Sequence, residues 1–209
     1  NAIDGWVLIV DDSSPDGTGE AADLLSKEYT NVRVIHRQTK LGIGDAYKTA
    51  FSEALADPRT AVIVEMDADL SHDPVYLPSI VQAALSLGGI GLGSRYVEGG
   101  RVVGWSKTRR IVSWGANFLT RIILRLSVKD ATSGYRAFTR EALVKIGYKD
   151  AGTKAYAFQV EMLHRCTRHN LPISEVPITF YERQLGKSKL TRRDIFDFLK
   201  TVLRLGFRL

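Results

Sequence analysis

Two aspartates separated by one residue follow an apolar run, and their spacing is the clearest sign of chemistry in this sequence. The run covers residues 61–66 and is followed by Asp67, Ala68 and Asp69. If the extended backbone continues, side chains two residues apart point to the same side, which brings the two carboxylates together. Close carboxylates repel unless a cation lies between them, and Mg²⁺ typically takes one or two carboxylates plus substrate phosphate oxygens. The pattern favours a metal and phosphate site, although short acids also form Asx turns at strand ends.

The elements that must position this pair alternate between strands and helices. Strands are predicted at residues 6–10, 32–35, 61–66, 89–93 and 173–181. Helices are predicted at residues 18–29, 42–55, 74–87, 107–126, 139–146, 156–169 and 191–208. This alternation predicts an α/β fold with a mostly parallel sheet flanked by helices. Ligands of such sheets bind outside the carboxyl ends of the strands, so the acids at 11–12 and 67–69 should face each other across one crevice.

The composition is that of one folded domain with an excess of basic residues. Hydrophobic residues make up 44% and charged residues 25% of the 209 residues, which excludes disordered and collagen-like classes. Because no repeat or linker interrupts the chain, residues 1–209 are predicted to form a single domain. The 29 basic and 23 acidic residues leave a net charge of +6, which favours an anionic partner: nucleic acid, a phosphorylated small molecule or anionic lipid.

The sequence shows neither a membrane-spanning run nor a disulfide pair. No apolar run approaches the roughly 20 residues that cross a bilayer, and no signal segment precedes the first strand. The single Cys166 has no partner for an internal disulfide, so we expect a reducing, cytosolic compartment and a plain buried helix residue there. Any contact with a membrane is therefore expected to be peripheral.

Cationic and hydroxyl side chains lie further along the chain at helical spacing. Arg95 follows the strand at 89–93, and four polar residues then recur at intervals of four: Arg109, Ser113, Asn117 and Arg121. Residues four apart share one face of a helix. Arg offers planar bidentate donors to phosphate oxygens, so this face predicts a phosphate site. A solvated polar face is the alternative.

The last 28 residues contain a basic loop and an amphipathic helix. Three cations surround a glycine in residues 182–189, which suits a loop that closes over a diphosphate, or a basic surface segment. In the predicted helix at 191–208, apolar residues recur at helical spacing: Ile195, Phe198, Leu199, Val202 and Leu203. Such a helix either lies in a membrane interface or packs on the domain core.

Two segments of the sequence are similar to other ligand-binding motifs. An apolar strand ending in two acids at 11–12 is typical of phospho-accepting receiver domains, but a receiver needs neither this length nor the arginine-rich segments that follow. The pair Gly42 and Gly44 is similar to a dinucleotide-binding loop, yet Tyr47 stands where its third glycine belongs. A helix that begins on glycines is the better interpretation, and Lys40 nearby could face phosphate.

Nine short motifs occur in order along the chain. They are DDSSPDGT (11–18), KLGIG (40–44), MDADLSH (66–72), GSRY (93–96), RIVSWGAN (110–117), SGYR (133–136), FQVE (158–161), EVPITF (175–180) and GKSK (186–189). Together they closely resemble the dolichol-phosphate mannose synthases, inverting glycosyltransferases of family 2 with the GT-A fold. The resemblance covers nearly the whole chain.

The resemblance implies transfer of mannose from GDP-mannose to a polyprenyl (dolichyl) monophosphate. The reaction would need Mg²⁺ or Mn²⁺ and would take place peripherally on the cytoplasmic face of a membrane, in the endoplasmic reticulum of a eukaryote or at the plasma membrane of a prokaryote. A sibling enzyme with another donor, such as UDP-glucose, is the alternative. Nucleic acid is not an expected partner, and whether membrane-anchoring subunits take part stays open.

The resemblance also assigns roles to individual residues. It implies a metal site at Asp67, Asp69 and Ser71. It implies donor-nucleotide contacts from Val10, Asp12, Asp67, Ala68, Asp69, Arg183 and Lys189, the last two over the diphosphate. It implies an acceptor-phosphate site at Arg95, Arg109 and Ser113, which with Asp69 form the catalytic set. His72 and Asp73 are expected to be loop or helix-capping residues.

The chain departs from the family at its beginning. Family members start with a strand and a helix that contribute to the nucleotide pocket, whereas here only five residues precede the strand at 6–10. A parallel sheet without an interior strand would leave an unpaired edge, so we expect the sequence to be part of a longer protein. Since it stops after the amphipathic helix, we expect the kind of enzyme without transmembrane helices.

The chemistry of the acceptor agrees with this assignment. A phosphate monoester has a second pKa of about 6, so it is largely ionised at neutral pH and can attack the sugar without a protein base. The protein then has to position two anions and stabilise the leaving diphosphate.

Overall fold

A computed structural model describes residues 5–39, 41–153, 157–183 and 192–207. The strands are β1 (Val7–Asp11), β2 (Val32–His36), β3 (Val62–Glu65), β4 (Ile90–Ser94), β5 (Arg101–Val103), β6 (Arg136–Thr139), β7 (Ile173–Pro177) and β8 (Thr179–Tyr181). The helices are α1 (Thr18–Glu28), α2 (Ile43–Ala56), α3 (Leu77–Leu87), α4 (Lys107–Leu124), α5 (Arg140–Lys145), α6 (Ala157–Arg168) and α7 (Arg192–Phe207). All the predicted helices are present, with ends that differ by a few residues.

The strands form three sheets. The largest has the order β3-β6-β4-β7, while β1 pairs with β2 and β5 pairs with β8. The β1–β2, β4–β7 and β5–β8 ladders are parallel, as predicted, whereas β6 runs antiparallel to both of its neighbours. Within the described part of the chain, the two acidic clusters therefore end strands of different sheets, β1 and β3.

Three strand predictions needed correction. Strand β6 was not predicted, since its first residue, Arg136, is a fully buried cation that hides the apolar pattern. Strand β5 was not predicted either; it lies between the predicted strand at 89–93 and the predicted helix at 107–126, and it pairs with β8. The predicted strand at 173–181 is divided at Ile178, where the chain leaves β4 as a partner and joins β5.

Strand β4 is glycine-rich because helix α3 packs directly on its backbone. A Cβ atom added to Gly91 would lie 2.0 Å from the carbonyl oxygen of Ile80 in α3. Ile80 and Ala84 are both fully buried at this contact. On the other side of the sheet, α6 contributes Phe158, Met162 and Cys166 to a large core cluster, which confirms Cys166 as a buried helix residue.

Helix α7 packs against α4 and the core. Val202 and Leu205 are buried, and a Cβ at Gly206 would lie 2.6 Å from Ile123 Cγ2 of α4, so the two helices touch closely there. Phe198 is partly buried against the same cluster, which supports core packing for this side of the predicted amphipathic face. Two other residues of that predicted face, Ile195 and Leu203, are exposed, and among the exposed apolar residues of α7 Phe196 and Phe207 have the largest exposed fractions.

Helix α4 exposes an apolar face to solvent. We define this face by Ile111, Trp114, Phe118, Leu119 and Ile122, all of which are exposed. The Trp114 and Phe118 rings stack on it with centroids 5.4 Å apart. Across the described ranges, no helix is both long and apolar enough to span a bilayer.

Candidate active site

The two aspartates stand on a tight loop that follows β3. The backbone N–H of Ser71 donates to Asp69 Oδ1 at 3.0 Å, and Leu70 between them adopts a left-handed conformation with φ of 64°. Burial raises the pKa of Asp69, but the hydrogen bonds from Ser71 and the charge of Arg183 outweigh it and lower the pKa overall. Asp69 is therefore held as a carboxylate in a fixed orientation.

The loop is closed by His72, which follows both aspartates by a few residues in the sequence. The backbone N–H of Asp67 donates to His72 Nδ1 at 3.0 Å. The imidazole is buried, stacks on Tyr135 with centroids 4.9 Å apart, and meets the edge of Phe180. Burial lowers the pKa of His72, against the opposing charge of Asp67. His72 is thus more than the loop residue predicted, whereas Asp73 caps a short 3₁₀ helix at Pro74–Tyr76 as expected.

The loop suits a hard divalent cation that shares its coordination with a ligand. The side chains of Asp67 and Asp69 are 41% and 27% exposed, so both carboxylates are accessible to solvent. No cluster of three His, Cys, Asp or Glu that could hold a metal occurs among the residues the structure describes. Mg²⁺ characteristically uses one or two carboxylates and completes its shell with phosphate oxygens and water, so two carboxylates fit it. Ser71 is buried and orients Asp69 through its N–H; a metal contact from its hydroxyl stays a prediction.

A cation lies against the aspartate loop. Arg183 Nη2 is 3.2 Å from Asp69 Oδ2, so one of the two cations predicted to cover the diphosphate does reach the predicted metal site. The other, Lys189, lies outside the described residues, as does Lys40. Two further contacts join the loop to the strand before Arg183: Tyr181 N–H donates to the Ser71 carbonyl, and His72 forms a β-bridge with Phe180.

Arg109 and Ser113 lie on α4 near this segment. Arg109 Nη1 donates to Glu182 Oε1 at 2.7 Å, and its guanidinium lies 4.2 Å from the centroid of the Trp105 ring. Ser113 Oγ accepts a hydrogen bond from the Tyr96 hydroxyl at 2.8 Å. Glu182 directly precedes Arg183, so the two halves of the predicted site are joined through two consecutive residues.

Arg95 is buried and paired with Asp130, an acid that the sequence analysis did not identify as a site residue. Its Nε and Nη2 atoms donate to Asp130 Oδ2 and Oδ1, each at 2.7 Å, and Nη2 also donates to Thr132 Oγ1. Burial raises the pKa of Asp130, but the charge of Arg95 outweighs it and lowers the pKa. Releasing one partner of such a buried pair costs roughly 3–5 kcal/mol, so the structure does not present Arg95 as a free phosphate ligand.

The polar face predicted on α4 is turned inward at Asn117. This residue is buried, and its Nδ2 donates to the Ser113 carbonyl and to Thr132 Oγ1. Thr132 thereby connects α4 to the Arg95–Asp130 pair. A solvated face is the wrong interpretation here, and the network instead fixes the part of α4 that carries Arg109 and Ser113.

The predicted nucleotide contacts stand at the end of β1. Val10 is half-buried on this strand, and Asp12 follows it with Oδ1 3.0 Å from Arg37 Nη1, a distance at which the two charges pair without hydrogen-bond alignment. Ala68 is exposed between the two aspartates of the loop. That the ends of β1 and β3 line one crevice stays a prediction.

Comparison with known proteins decides the family. The sequence profile described as Glycosyl transferase family 2 matches residues 6–147, a segment that includes β1, the aspartate loop and α4. This chain belongs to glycosyl transferase family 2. Family membership excludes the receiver domain and the dinucleotide-binding loop as alternatives.

Two curated relatives match the glycosyltransferase over nearly its whole length. The undecaprenyl-phosphate mannosyltransferase of Micrococcus luteus is 43% identical over 200 residues, covering 96% of this chain and 82% of the relative. The polyprenol monophosphomannose synthase of Mycolicibacterium smegmatis is 41% identical over 203 residues, covering 97% of this chain and 76% of the relative. The resemblance inferred from the nine motifs is thereby confirmed.

Solved structures of a more distant enzyme confirm the fold. Glucosyl-3-phosphoglycerate synthase from Mycobacterium tuberculosis, in complex with Mn²⁺, UDP-glucose and phosphoglyceric acid, superposes with a TM-score of 0.65 at 20% identity, over 95% of this chain and 68% of that chain. The same enzyme with Mg²⁺ and UDP gives a TM-score of 0.64 at 21% identity. The glycosyltransferase therefore has the predicted GT-A fold.

Two further buried ionisable residues of the glycosyltransferase, Glu65 and Arg136, are opposite each other on the adjacent strands β3 and β6. Glu65 at the end of β3 is fully enclosed, and burial raises its pKa to about 7, against the opposing charge of Arg136. The Arg136 guanidinium donates to the carbonyls of Ser133, Gln159 and Ala131. Sequence analysis missed Glu65 as a buried acid, and its position directly before the loop was the available signal.

Proposed function

We propose that this glycosyltransferase transfers mannose from GDP-mannose to a polyprenyl (dolichyl) monophosphate with inversion at the sugar carbon. The observation that carries the proposal is the pair of contacts made by two consecutive residues. Arg183 reaches the aspartate loop and Glu182 reaches Arg109 on α4. These contacts support a site for the donor diphosphate at the aspartate loop with a site for a second phosphate next to it at Arg109. The names of the two curated relatives supply the sugar and the lipid class.

The donor half of the site has to bind and stabilise a diphosphate that leaves. Asp67 and Asp69 would hold a divalent ion, which would supply positive charge to stabilise the departing diphosphate. Ser71 fixes the Asp69 carboxylate, and Arg183 adds a mobile cation once it exchanges Asp69 for the diphosphate. We assign Val10, Asp12 and Ala68 to the nucleotide and Lys189 to the diphosphate, as the resemblance implies.

The acceptor half has to hold the attacking phosphate in line. In the reaction a phosphate oxygen forms the bond to the anomeric carbon while the bond to GDP breaks, with its electron pair leaving on the diphosphate. We assign Arg109 and Ser113 to the incoming phosphate, because both lie on one side of α4, where Arg109 stacks on Trp105 and Ser113 accepts from the Tyr96 hydroxyl. Arg95 is reassigned from a phosphate ligand to a residue that positions α4, through Thr132 and Asn117.

The exposed apolar face of α4 supports action at a membrane. Five large apolar side chains exposed on one helix face form a patch of the kind that marks contact with a lipid or a partner. The acceptor is a lipid, and α4 carries the proposed acceptor residues, so we assign this face to the bilayer interface. Peripheral association at the cytoplasmic face is part of the proposal, as is a single catalytic domain over residues 1–209.

One assay tests the proposed reaction. Purified enzyme is given radiolabelled GDP-mannose or UDP-glucose with a short polyprenyl phosphate, with Mn²⁺ or with EDTA, and the organic phase is counted. We expect label in the lipid product only when GDP-mannose is the donor and Mn²⁺ is present. Label from UDP-glucose would move the donor to glucose, and turnover in EDTA would contradict the metal role of Asp67 and Asp69.

A further inference from the structure

The contact between His72 and Asp67 assigns a role to a residue outside the proposed metal and phosphate ligands. We propose that His72 is a positioning residue for Asp67: its imidazole accepts the backbone N–H of Asp67 at Nδ1 and thereby fixes the geometry in which the aspartate loop binds a divalent cation. The inference rests on the proposed function, because it takes Asp67 to be a metal ligand. It concerns how this chain shapes the loop before any ligand arrives.

The hydrogen bond specifies the state of the imidazole. A backbone N–H donates, so Nδ1 must accept and carries no proton, which places the single proton of the neutral ring on Nε2. Protonation at Nδ1 would set two donors against each other and would release the Asp67 backbone. The ring is therefore selected as one tautomer by the loop that it closes.

The surroundings of the ring hold it in place. Its side chain is 1% exposed, it stacks on Tyr135, and its edge contact with Phe180 is reinforced by a β-bridge between the two backbones. Tyr135 in turn donates from its hydroxyl to the carbonyl of Asp73. If His72 only filled this space, any planar aromatic side chain would serve. The acceptor nitrogen Nδ1 is therefore the feature that distinguishes His72 from phenylalanine.

The same residue joins the loop to the segment that carries the cations. The β-bridge to Phe180 and the Tyr181–Ser71 hydrogen bond lie directly before Glu182 and Arg183. A shift of the His72 ring would therefore move the Asp67 backbone relative to Arg183. Residues that orient metal ligands in this way typically change metal affinity by roughly 10- to 100-fold when they are replaced.

Two substitutions separate the acceptor from the ring. His72→Phe keeps a planar ring for Tyr135 and Phe180 but removes the acceptor, whereas His72→Asn removes the ring but places an amide oxygen close to the position of Nδ1. Asp67→Asn reports what loss of the carboxylate does. Mn²⁺ alone is titrated into each purified protein and free Mn²⁺ is measured by electron paramagnetic resonance, while circular dichroism and thermal melting confirm folding.

We expect His72→Phe to weaken Mn²⁺ binding roughly tenfold, and His72→Asn to restore most of it. If His72→Phe binds Mn²⁺ like the wild type while Asp67→Asn does not, the inference fails and the metal site stands. If Asp67→Asn binds Mn²⁺ like the wild type, the proposed metal role of Asp67 itself fails. Loss in His72→Asn with normal binding in His72→Phe would assign the effect to ring packing, and equal loss in both variants would show that an acceptor at this position does not restore binding; either result would overturn the inference.

A measurement without metal keeps the inference open to refutation even if His72→Phe does not fold. In ¹⁵N-histidine-labelled wild-type protein, the His72 side chain is assigned by comparison with His72→Asn and its two ring nitrogens are observed by long-range proton–nitrogen correlation. We expect an unprotonated Nδ1 and a protonated Nε2 in the metal-free enzyme. A proton on Nδ1 would rule out the proposed acceptor.

Discussion

Arg183 Nη2 lies 3.2 Å from Asp69 Oδ2, so the cation predicted to bind the donor diphosphate is paired with the carboxylate predicted to bind the metal. Both side chains are partly exposed, at 38% and 27%, and a pair of this kind contributes at most about 1 kcal/mol. The pair can therefore separate at small cost when a metal and a diphosphate arrive. Arg183 can then leave the Asp69 carboxylate and bind the negatively charged diphosphate.

Replacing Asp69 should abolish turnover. Asp69→Ala removes one of two carboxylates from the proposed metal site and the partner of Arg183, so both metal-dependent GDP-mannose binding and product formation should be lost. Calorimetry with and without Mn²⁺ measures the first and the radiolabel assay the second. Asp73→Asn is the matched control, because it removes a nearby charge while keeping a side chain that can cap the 3₁₀ helix. Normal activity in Asp69→Ala would refute the metal assignment.

Replacing Arg109 should affect the lipid substrate and spare the donor. Hydrogen bonds to charged groups contribute about 1.5–3 kcal/mol, so Arg109→Ala should raise the KM for polyprenyl phosphate roughly tenfold or more while GDP-mannose affinity stays near normal. Steady-state kinetics with each substrate varied in turn separates the two effects. An equal loss of donor affinity would contradict the division of roles between α4 and the aspartate loop.

Glu182 should compete with the acceptor phosphate for Arg109. The Glu182 carboxylate forms an ion pair with the Arg109 guanidinium at 2.7 Å, and both side chains are partly exposed. Glu182→Gln keeps the shape and removes the charge, so we expect the KM for polyprenyl phosphate to fall by about two- to fivefold. The change should vanish in an Arg109→Ala background, and its persistence there would show that Glu182 acts on another group.

Removing the Asp130 charge should destabilise the fold and change its pH dependence. Arg95 would be left unpaired in a buried position, so Asp130→Asn should lower the free energy of unfolding by roughly 3–5 kcal/mol. The pKa of Asp130 is lowered in the folded state, so its contribution is complete above the unfolded pKa of 3.8 and is lost as the pH falls below that value towards the folded pKa. Urea unfolding between pH 2 and pH 7 should therefore show a smaller acid loss in the variant, and an unchanged pH profile would contradict this.

The apolar face of α4 should govern binding to membranes. Burying one large apolar side chain contributes about 2 kcal/mol, which corresponds to roughly 30-fold in affinity, so Trp114→Ser with Phe118→Ser should weaken binding to anionic liposomes in flotation by about 30-fold or more. The matched control is Leu24→Ser with Leu25→Ser on α1, which also removes two exposed apolar side chains. Equal loss in both double variants would mean that the liposomes do not recognise this face.

The sequence by itself determined the elements and the chemistry of the aspartate loop. Alternating apolar runs and helical periodicity depend on neighbours a few residues apart, so strands β1 to β4 and every helix were predictable. The position of Asp67 and Asp69 directly after β3 is likewise local. The nine ordered motifs were enough to indicate the family, which the profile match confirmed.

The partners of the buried charges were decided by tertiary structure. Arg95 and Asp130 are 35 residues apart in sequence, and nothing local shows that a cation predicted to bind phosphate is neutralised from within. The same applies to β6, where the buried cation Arg136 interrupts the apolar pattern of a fully enclosed strand. A charge can lie in a core only when distant segments bring it a counter-charge or hydrogen-bond acceptors, and that depends on the fold as a whole.

The orientation of surfaces was also decided by tertiary structure. Helical spacing put Arg109, Ser113 and Asn117 on one face of α4, but only packing shows that Asn117 is buried while Ile111 and Trp114 face solvent. Amphipathic spacing shows which residues share one side of a helix, but it does not show which side packs against the core. His72 changed for the same reason: its acceptor role arises because Tyr135 and Phe180, both distant in sequence, fix the ring beneath Asp67.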